Sequence, residues 1–274
     1  MRKGWLLFTA AAAAGILAAG IFLLPLAYSS LFPAEGIVEE EEPLPESLGA
    51  VPGQLMEMLL LPAGEERDEV PWESIKDHVE YCREVLGPQV HERAFGLVGL
   101  EEDESFWKNL WNIKGEDWYL IEAPVEKEGM ESLLTVVMNG GLLPFLVRCQ
   151  AEREPSDGEM EKAFRALQEL SLEQDGKLRA YTEEIDGIYG DCPDYWHQVI
   201  ELYISLLPET EQQVELPPQI PLWECCLRGT WQICADEREI ALVCVMGKGS
   251  LALYYDAVAE EFCGFRFWPP EGWR

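Results

Sequence analysis

Apolar residues in this chain recur at two periods, and the switch between the two lays out its elements. Trp72, Ile75, Val79, Cys82 and Leu86 are spaced 3, 4, 3 and 4 apart, one face of a helix over 71–86 that Pro71 opens and Gly87-Pro88 closes. Met160, Ala163, Phe164, Leu167 and Leu170 predict a second helix over 156–172, and Ser156 with Glu159 fits a capping box at its start. Trp196, Val199, Ile200, Tyr203 and Leu207 predict a third over 194–207, with Asp194 as its N-cap. Strand-like runs fill the rest: 117–123, 132–138 and 142–149, then 222–235, 240–246, 250–256 and 262–268. Asn139-Gly140-Gly141 between two such runs reads as a hairpin turn, because Asn and Gly tolerate positive φ. Pro144 cannot donate to a ladder, so its strand is expected at an edge or at a bulge. Short polar turns between the last runs force antiparallel pairing.

Before the first helix the pattern is different. After Arg2 and Lys3, residues 5–28 run without a charge. A helix of that length spans roughly 36 Å, enough for a bilayer core of about 30 Å. The basic residues precede it and Glu35 and Glu39–Glu42 follow, so the remainder is expected outside the cytoplasm. The expected organisation is therefore a signal-anchor over 1–28, an acidic Pro-rich linker over 29–53, a first α+β unit over 54–153 and a second over 154–274. A cleaved signal is the alternative, since Ala27-Tyr28-Ser29 offers a small-x-small site. The fold class is α+β: an N-terminal transmembrane helix, then helices packed on antiparallel β-sheets. Two related units are one reading of the pattern. The stretch 133–147 is similar to 240–255, and Trp118-Tyr119-Leu120-Ile121 to Trp231-Gln232-Ile233-Cys234; chance likeness between hairpins is the other reading.

Charge removes some partners. Asp and Glu number 51 against 20 Lys and Arg, a net charge of −31. Such a surface repels phosphate backbones, so nucleic acid is excluded as a partner. The partners expected are the membrane, through residues 5–28, and an envelope protein.

The candidate chemistry is thin. Eight cysteines show no CxxC and no zinc-like spacing with the three histidines, His78, His91 and His197. Buried free thiols and a disulfide framework both remain open. Cys192 with His197 is the conceivable nucleophile pair, but one opens a helix and the other lies inside it. His78 falls off the apolar stripe and reads as a surface residue. Glu183, Glu184, Asp186, Asp191 and Asp194 form the best cluster of hard oxygens, without an EF-hand pattern. Phe106, Trp107 and Trp111 read as an exposed aromatic cluster that either packs on the first helix or docks a partner. No GxSxG, HExxH, Walker or GxGxxG pattern occurs. No catalytic, cofactor-binding or metal-binding residue is therefore assigned, no cofactor is expected, and the chain is read as a non-enzyme.

The terminal ladder, about residues 221–268, resembles PepSY-like modules of exported Gram-positive proteins. Leu251–Ala257 matches the strand entering their Asp-Ala turn, Phe262-Cys263-Gly264-Phe265 matches the last strand, and Trp231-Gln232-Ile233 the strand opener. Ala259 and Glu260 depart from it, standing where Thr and Gly are expected. The resemblance implies a non-catalytic extracytoplasmic module that inhibits peptidases or senses the envelope. A membrane-anchored interaction or sensing module is thus the expected function; an envelope glycan binder or hydrolase, which the ten tryptophans recommend, and a structural role are the alternatives.

Overall fold

A computed structural model describes residues 67–268, apart from 88, 114–117, 174–175, 210, 213–214, 237 and 248. A short strand, β1 (Arg67–Glu69), leads into three helices, α1 (Trp72–Leu86), α2 (Val90–Leu97) and α3 (Glu104–Trp107). Four strands follow: β2 (Leu110–Ile113), β3 (Trp118–Lys127), β4 (Met130–Asn139) and β5 (Pro144–Ala151). The order then repeats. Helices α4 (Asp157–Glu173), α5 (Gly176–Ile188), α6 (Pro193–Leu206) and α7 (Leu222–Cys226) precede β6 (Thr230–Ala235), β7 (Ile240–Met246), β8 (Gly249–Asp256) and β9 (Glu261–Trp268).

All nine strands form one antiparallel sheet in the order β1-β2-β3-β4-β5-β9-β8-β7-β6. This corrects the expected fold class. The class is α+β, but the sheet is single and continuous, because the last strand of each meander pairs with the other. The expected transmembrane helix over 5–28 and the linker over 29–53 lie outside the described residues. Among the described residues no helix is long and apolar enough to cross a membrane. The longest, α4, has 17 residues and carries Glu, Lys and Arg along one side, so the structure does not supply the membrane-spanning element that the signal-anchor reading required.

The joint between the meanders is symmetric in register. Leu146 pairs with Arg266, Val147 with Phe265, and Arg148 with Gly264. Each arginine thus faces the residue two places before the other, and exchanging the two strands leaves the register unchanged. The hairpins leading into the joint match as well. Asn139 Oδ1 accepts from the Leu143 amide at 3.0 Å. Asp256 Oδ1 accepts from the amides of Val258 at 2.8 Å and Ala259 at 3.1 Å. One non-glycine residue in each turn is left-handed: Leu142 at φ 57° and Glu260 at φ 59°. The joint therefore equates β4–β5 with β8–β9, whereas the likeness in sequence set β4–β5 beside β7–β8.

Most local expectations fall within two or three residues of the elements observed, and the exceptions have physical causes. Residues 222–226 form helix α7 and not strand, because Pro221 opens a turn and Leu222, Trp223, Cys225 and Cys226 all bury. Helix α6 begins at Pro193 with Cys192 at its N-cap, so Asp194 lies inside the first turn instead of capping it. Half of the capping box at α4 forms: the Ser156 amide donates to Glu159 Oε2 at 2.8 Å, while the Ser156 hydroxyl donates to the same oxygen at 2.6 Å instead of accepting from the Glu159 amide. Hydrogen bonds from Arg153 and Ser156 hold the Glu159 carboxyl down at about 2. Positive φ in the β4–β5 turn falls on Leu142 and not on Asn139-Gly140. Pro144 sits in an interior strand at a register shift beside Met138, the bulge alternative.

Strand alternation divides the sheet into two apolar faces. Every buried helix side chain in the described residues packs on one face, against residues such as Ile121, Val136, Val147, Leu242, Leu253 and Phe265. The cluster on the other face contains strand residues alone, among them Leu120, Val137, Leu146, Val243 and Tyr254.

Gly264 is required at the joint. A Cβ there would stand 2.1 Å from Val147 O and 2.6 Å from Arg148 Cα. Both contacts are backbone and cannot yield without parting β5 from β9. Gly264→Ala should lose at least about 3 kcal/mol in urea unfolding, or fail to give soluble protein. Glu260 is the opposite case. A left-handed non-glycine residue costs roughly 1–2 kcal/mol, and the extra chain entropy of glycine roughly 0.5–1 kcal/mol. Glu260→Gly should therefore raise stability by about 0.5–1 kcal/mol in the same assay; a loss would show that its contact with Lys162 outweighs the strain.

Candidate functional site

The β4–β5 turn is held by three side chains from three helices. His78 of α1 bonds through Nε2 to Gly140 O at 3.0 Å. His91 of α2 bonds through Nε2 to Leu142 O at 2.8 Å. The Tyr189 hydroxyl, one residue beyond α5, donates to Pro144 O at 2.5 Å. A carbonyl only accepts, so both histidines carry their proton on Nε2. Residues 140, 142 and 144 alternate along the chain, and each offers its carbonyl to one of these three donors. Burial pushes the His91 pKa down and keeps that ring neutral.

This clamped turn forms one wall of a cleft of about 450 Å³. Helix α1 supplies His78, Tyr81, Cys82 and Val85, and α6 with its cap supplies Cys192, Asp194, His197 and Gln198. The cleft thus gathers two of the three histidines and two of the eight cysteines. The sequence pairing of Cys192 with His197 is half realised: both line the cleft, yet the ion-pair partner of His197 is Glu201, at 3.1 Å on its own helix. A second pair in the cleft is one that the sequence did not single out. Cys82 Sγ lies 3.7 Å from His78 Nδ1 and 3.5 Å from Nε2. His78 is half-buried, one turn of helix before Cys82, and its role is to hold the turn.

The electrostatics do not make either thiol a nucleophile. Burial raises the pKa of both Cys82 and Cys192, so each stays protonated near neutral pH. His78 is oriented by the Gly140 carbonyl, which occupies Nε2, and no carboxylate stands behind it as in a nucleophile–histidine–acid triad. All eight cysteines are free and buried. Burial drives Cys149 and Cys234 up to about 11 and Cys225 up to about 12.

The other candidates disperse. Of the acid cluster, Glu183 pairs with Arg179 at 2.8 Å, Asp191 lies against Gly87, and Asp194 reaches the cleft. Asp186 is buried, accepting from the Tyr195 hydroxyl at 2.7 Å and the Leu222 amide at 2.8 Å. It ties α5 to α6 and to the first residue of α7. Among the described residues no group of three or more His, Cys, Asp or Glu could hold a metal ion. The expected exposed aromatic cluster is corrected: Trp107 is 1% exposed, donates to Glu102 at 2.9 Å and lies under the Arg83 guanidinium, while Phe106 is buried against Phe95. Among the described residues the exposed large apolar ones are instead Tyr81 and Val85, each 63% exposed, and Leu227. A tyrosine and a valine four apart on the polar side of α1 were the available signal.

No family model matches the sequence, and no curated protein does. The chain is similar to a solved structure of a protein with unknown function from Clostridium leptum. They share 17% identity over 82% of this chain and 97% of that one, with a TM-score of 0.40.

Asp186 yields a pH signature. Burial raises its pKa from 3.8 to about 6, against the lowering effect of its two hydrogen bonds. Between those values the folded chain holds a proton that the unfolded chain has lost, so stability falls as pH rises from about 4 to about 6. The loss is at most about 3 kcal/mol. Asp186→Asn should flatten the stability profile in that window relative to the parent; parallel profiles would show that the carboxylate is already ionised below pH 4.

Proposed function

We propose that the chain is a non-catalytic interaction module and that the α1–α6 cleft receives a segment of a partner protein. One observation carries the reading: Tyr81 and Val85 stand exposed on the rim of a cleft whose floor is fixed by the clamp. Exposed apolar side chains beside a preorganised concavity are the usual form of a docking site. The two thiols within it, Cys82 and Cys192, are held protonated by burial, which favours recognition over chemistry. Asp77, Glu80, Glu84, Asp191 and Asp194 lie exposed around it, and the net charge is −31. The matching segment therefore carries an apolar side chain for the rim, flanked by Lys or Arg. The likeness of the β8–β9 hairpin to PepSY-like modules, which are also non-catalytic, supports the same reading.

Glycan binding draws no such support. Trp107 and Trp223 are buried, and Trp72, Trp111, Trp118, Trp196 and Trp231 are half-buried, so none of these offers a free stacking platform.

The test is cross-linking in intact cells of the source organism with a tagged full chain, read by quantitative mass spectrometry against Tyr81→Glu and Val85→Glu. Both positions are exposed, so the variants should unfold at the parent midpoint within about 0.5 kcal/mol. One protein enriched with the parent and reduced at least about tenfold with both variants is expected. Equal recovery with parent and variants would remove the cleft as the docking site.

A further inference from the structure

The face of the sheet without helices holds polar groups that the fold leaves unmatched. Arg148, on β5 beside the joint, is only 5% exposed, and its cross-strand neighbour Thr135 is 0% exposed. Arg148 Nε and Thr135 Oγ1 are both buried without a hydrogen-bond partner. The guanidinium stands over the Tyr254 ring at 5.1 Å. One carboxylate reaches it: Glu239 Oε1 lies 2.5 Å from Nη1, off the N–H axis, so that Nη1 too makes no hydrogen bond. A buried guanidinium with two nitrogens left unbonded is costly, because those donors gave up water without gaining an acceptor.

Arg148 is not sealed. It lines a cleft of about 340 Å³ between β4, the chain after β5 and the β6–β7 turn. Leu133, Ala151 and Pro155 give this cleft an apolar wall. Arg153 and Arg238 line it too, but each already has a well-placed acid, Arg153 the Glu159 carboxylate and Arg238 that of Glu154 within the cleft itself. The cation available to a ligand is therefore Arg148. Its nearest acid, Glu239, sits on the β6–β7 turn, where Asp236 Oδ1 accepts from the Glu239 amide at 2.7 Å and the Arg238 amide at 2.8 Å.

We propose that this cleft binds a small monocarboxylate, which takes the planar fork of Arg148 in the position that Glu239 now fills poorly. The guanidinium geometry matches a carboxylate in two parallel hydrogen bonds. The apolar wall accepts a short aliphatic chain. A dianion such as phosphate is disfavoured, because Glu152, Glu154 and Glu239 line the same cleft and the whole chain is strongly negative. Glu239 acts as an internal competitor: its carboxylate partly neutralises Arg148 in the free protein and swings out when the ligand enters. This site is separate from the α1–α6 cleft and does not depend on the reading given to it.

Calorimetric titration of the purified full chain with acetate, propionate and butyrate tests the proposal, with acetamide and inorganic phosphate as controls at matched ionic strength. Saturable binding of the acids is expected, tightening up to about fourfold per methylene as the wall is covered, with no heat from acetamide. Glu239→Gln removes the competitor and should tighten acetate binding about tenfold. Arg148→Lys keeps the charge, loses the fork and should weaken binding at least tenfold. Should the lysine variant not fold, the glutamine variant decides alone, since an Arg–Glu pair with a purely structural role would bind no acetate in either protein. Absence of saturable binding in both the parent and Glu239→Gln overturns the site. Phosphate binding as tightly as acetate overturns the carboxylate assignment.

Discussion

The pairing of β5 with β9 is the contact on which the rest of the architecture rests. Every other strand pair in the sheet joins neighbours in sequence, so each meander is a local structure whose last strand would by itself be an open edge. A meander of four strands with helices on one face has a core of its own. What it lacks is a partner for its last strand, an edge whose unpaired amides and carbonyls would template aggregation. Joining the two last strands removes the β5 and β9 edges at once, leaving β1 and β6 as the edges of one sheet over one core. The price is steric: the backbones approach so closely at Gly264 that no side chain fits there, and the two turns feeding the joint each hold a residue in the left-handed region.

The joint also concentrates charge where the chain can least shed it. A protein this acidic places Arg148 and Arg266 in the middle of its sheet, one on each side of the symmetric register. Burial lowers the Arg266 pKa, while Tyr254 beside it works the other way. Elsewhere the arginines serve ordinary surface pairs such as Arg179 with Glu183, which contribute little. Hydrophobic isosteres at 148 and 266 would make a drier sheet, and packing alone gives no reason for guanidinium groups there.

Much of the fold is legible in the chain. Periodicity places α1, α4 and α6, because each buries a broad stripe, and the glycine turn and β-branched runs place β7 and β8. What escapes is short or set by tertiary contact. Helix α7 reads as strand because five residues, all but Glu224 buried, carry no period. Helix α5 is hidden because its stripe includes Thr182 and Asp186, polar residues that bury only through hydrogen bonds from within the fold. The site was harder still. His78 looks idle on a helical wheel, since its partner is a backbone carbonyl 62 residues away, and backbone carbonyls leave no mark in a sequence. Trp107 looked exposed because its stripe runs through a helix only four residues long. Tyr81 and Val85 were visible, but exposure is recognised only once the opposite face is known to be filled.

The clamp on the β4–β5 turn has a consequence for how the molecule opens. Loops usually exchange their amide protons through small local fluctuations, independent of the core. This turn is fastened at alternate carbonyls by donors from α1, α2 and the end of α5, and each of those helices packs into the main core. No single helix can lift away and free it. The rim of the cleft should therefore belong to the same cooperative unit as the sheet centre and keep its shape until the whole domain unfolds, so that a partner meets a surface formed in advance and little ordering entropy is lost on contact.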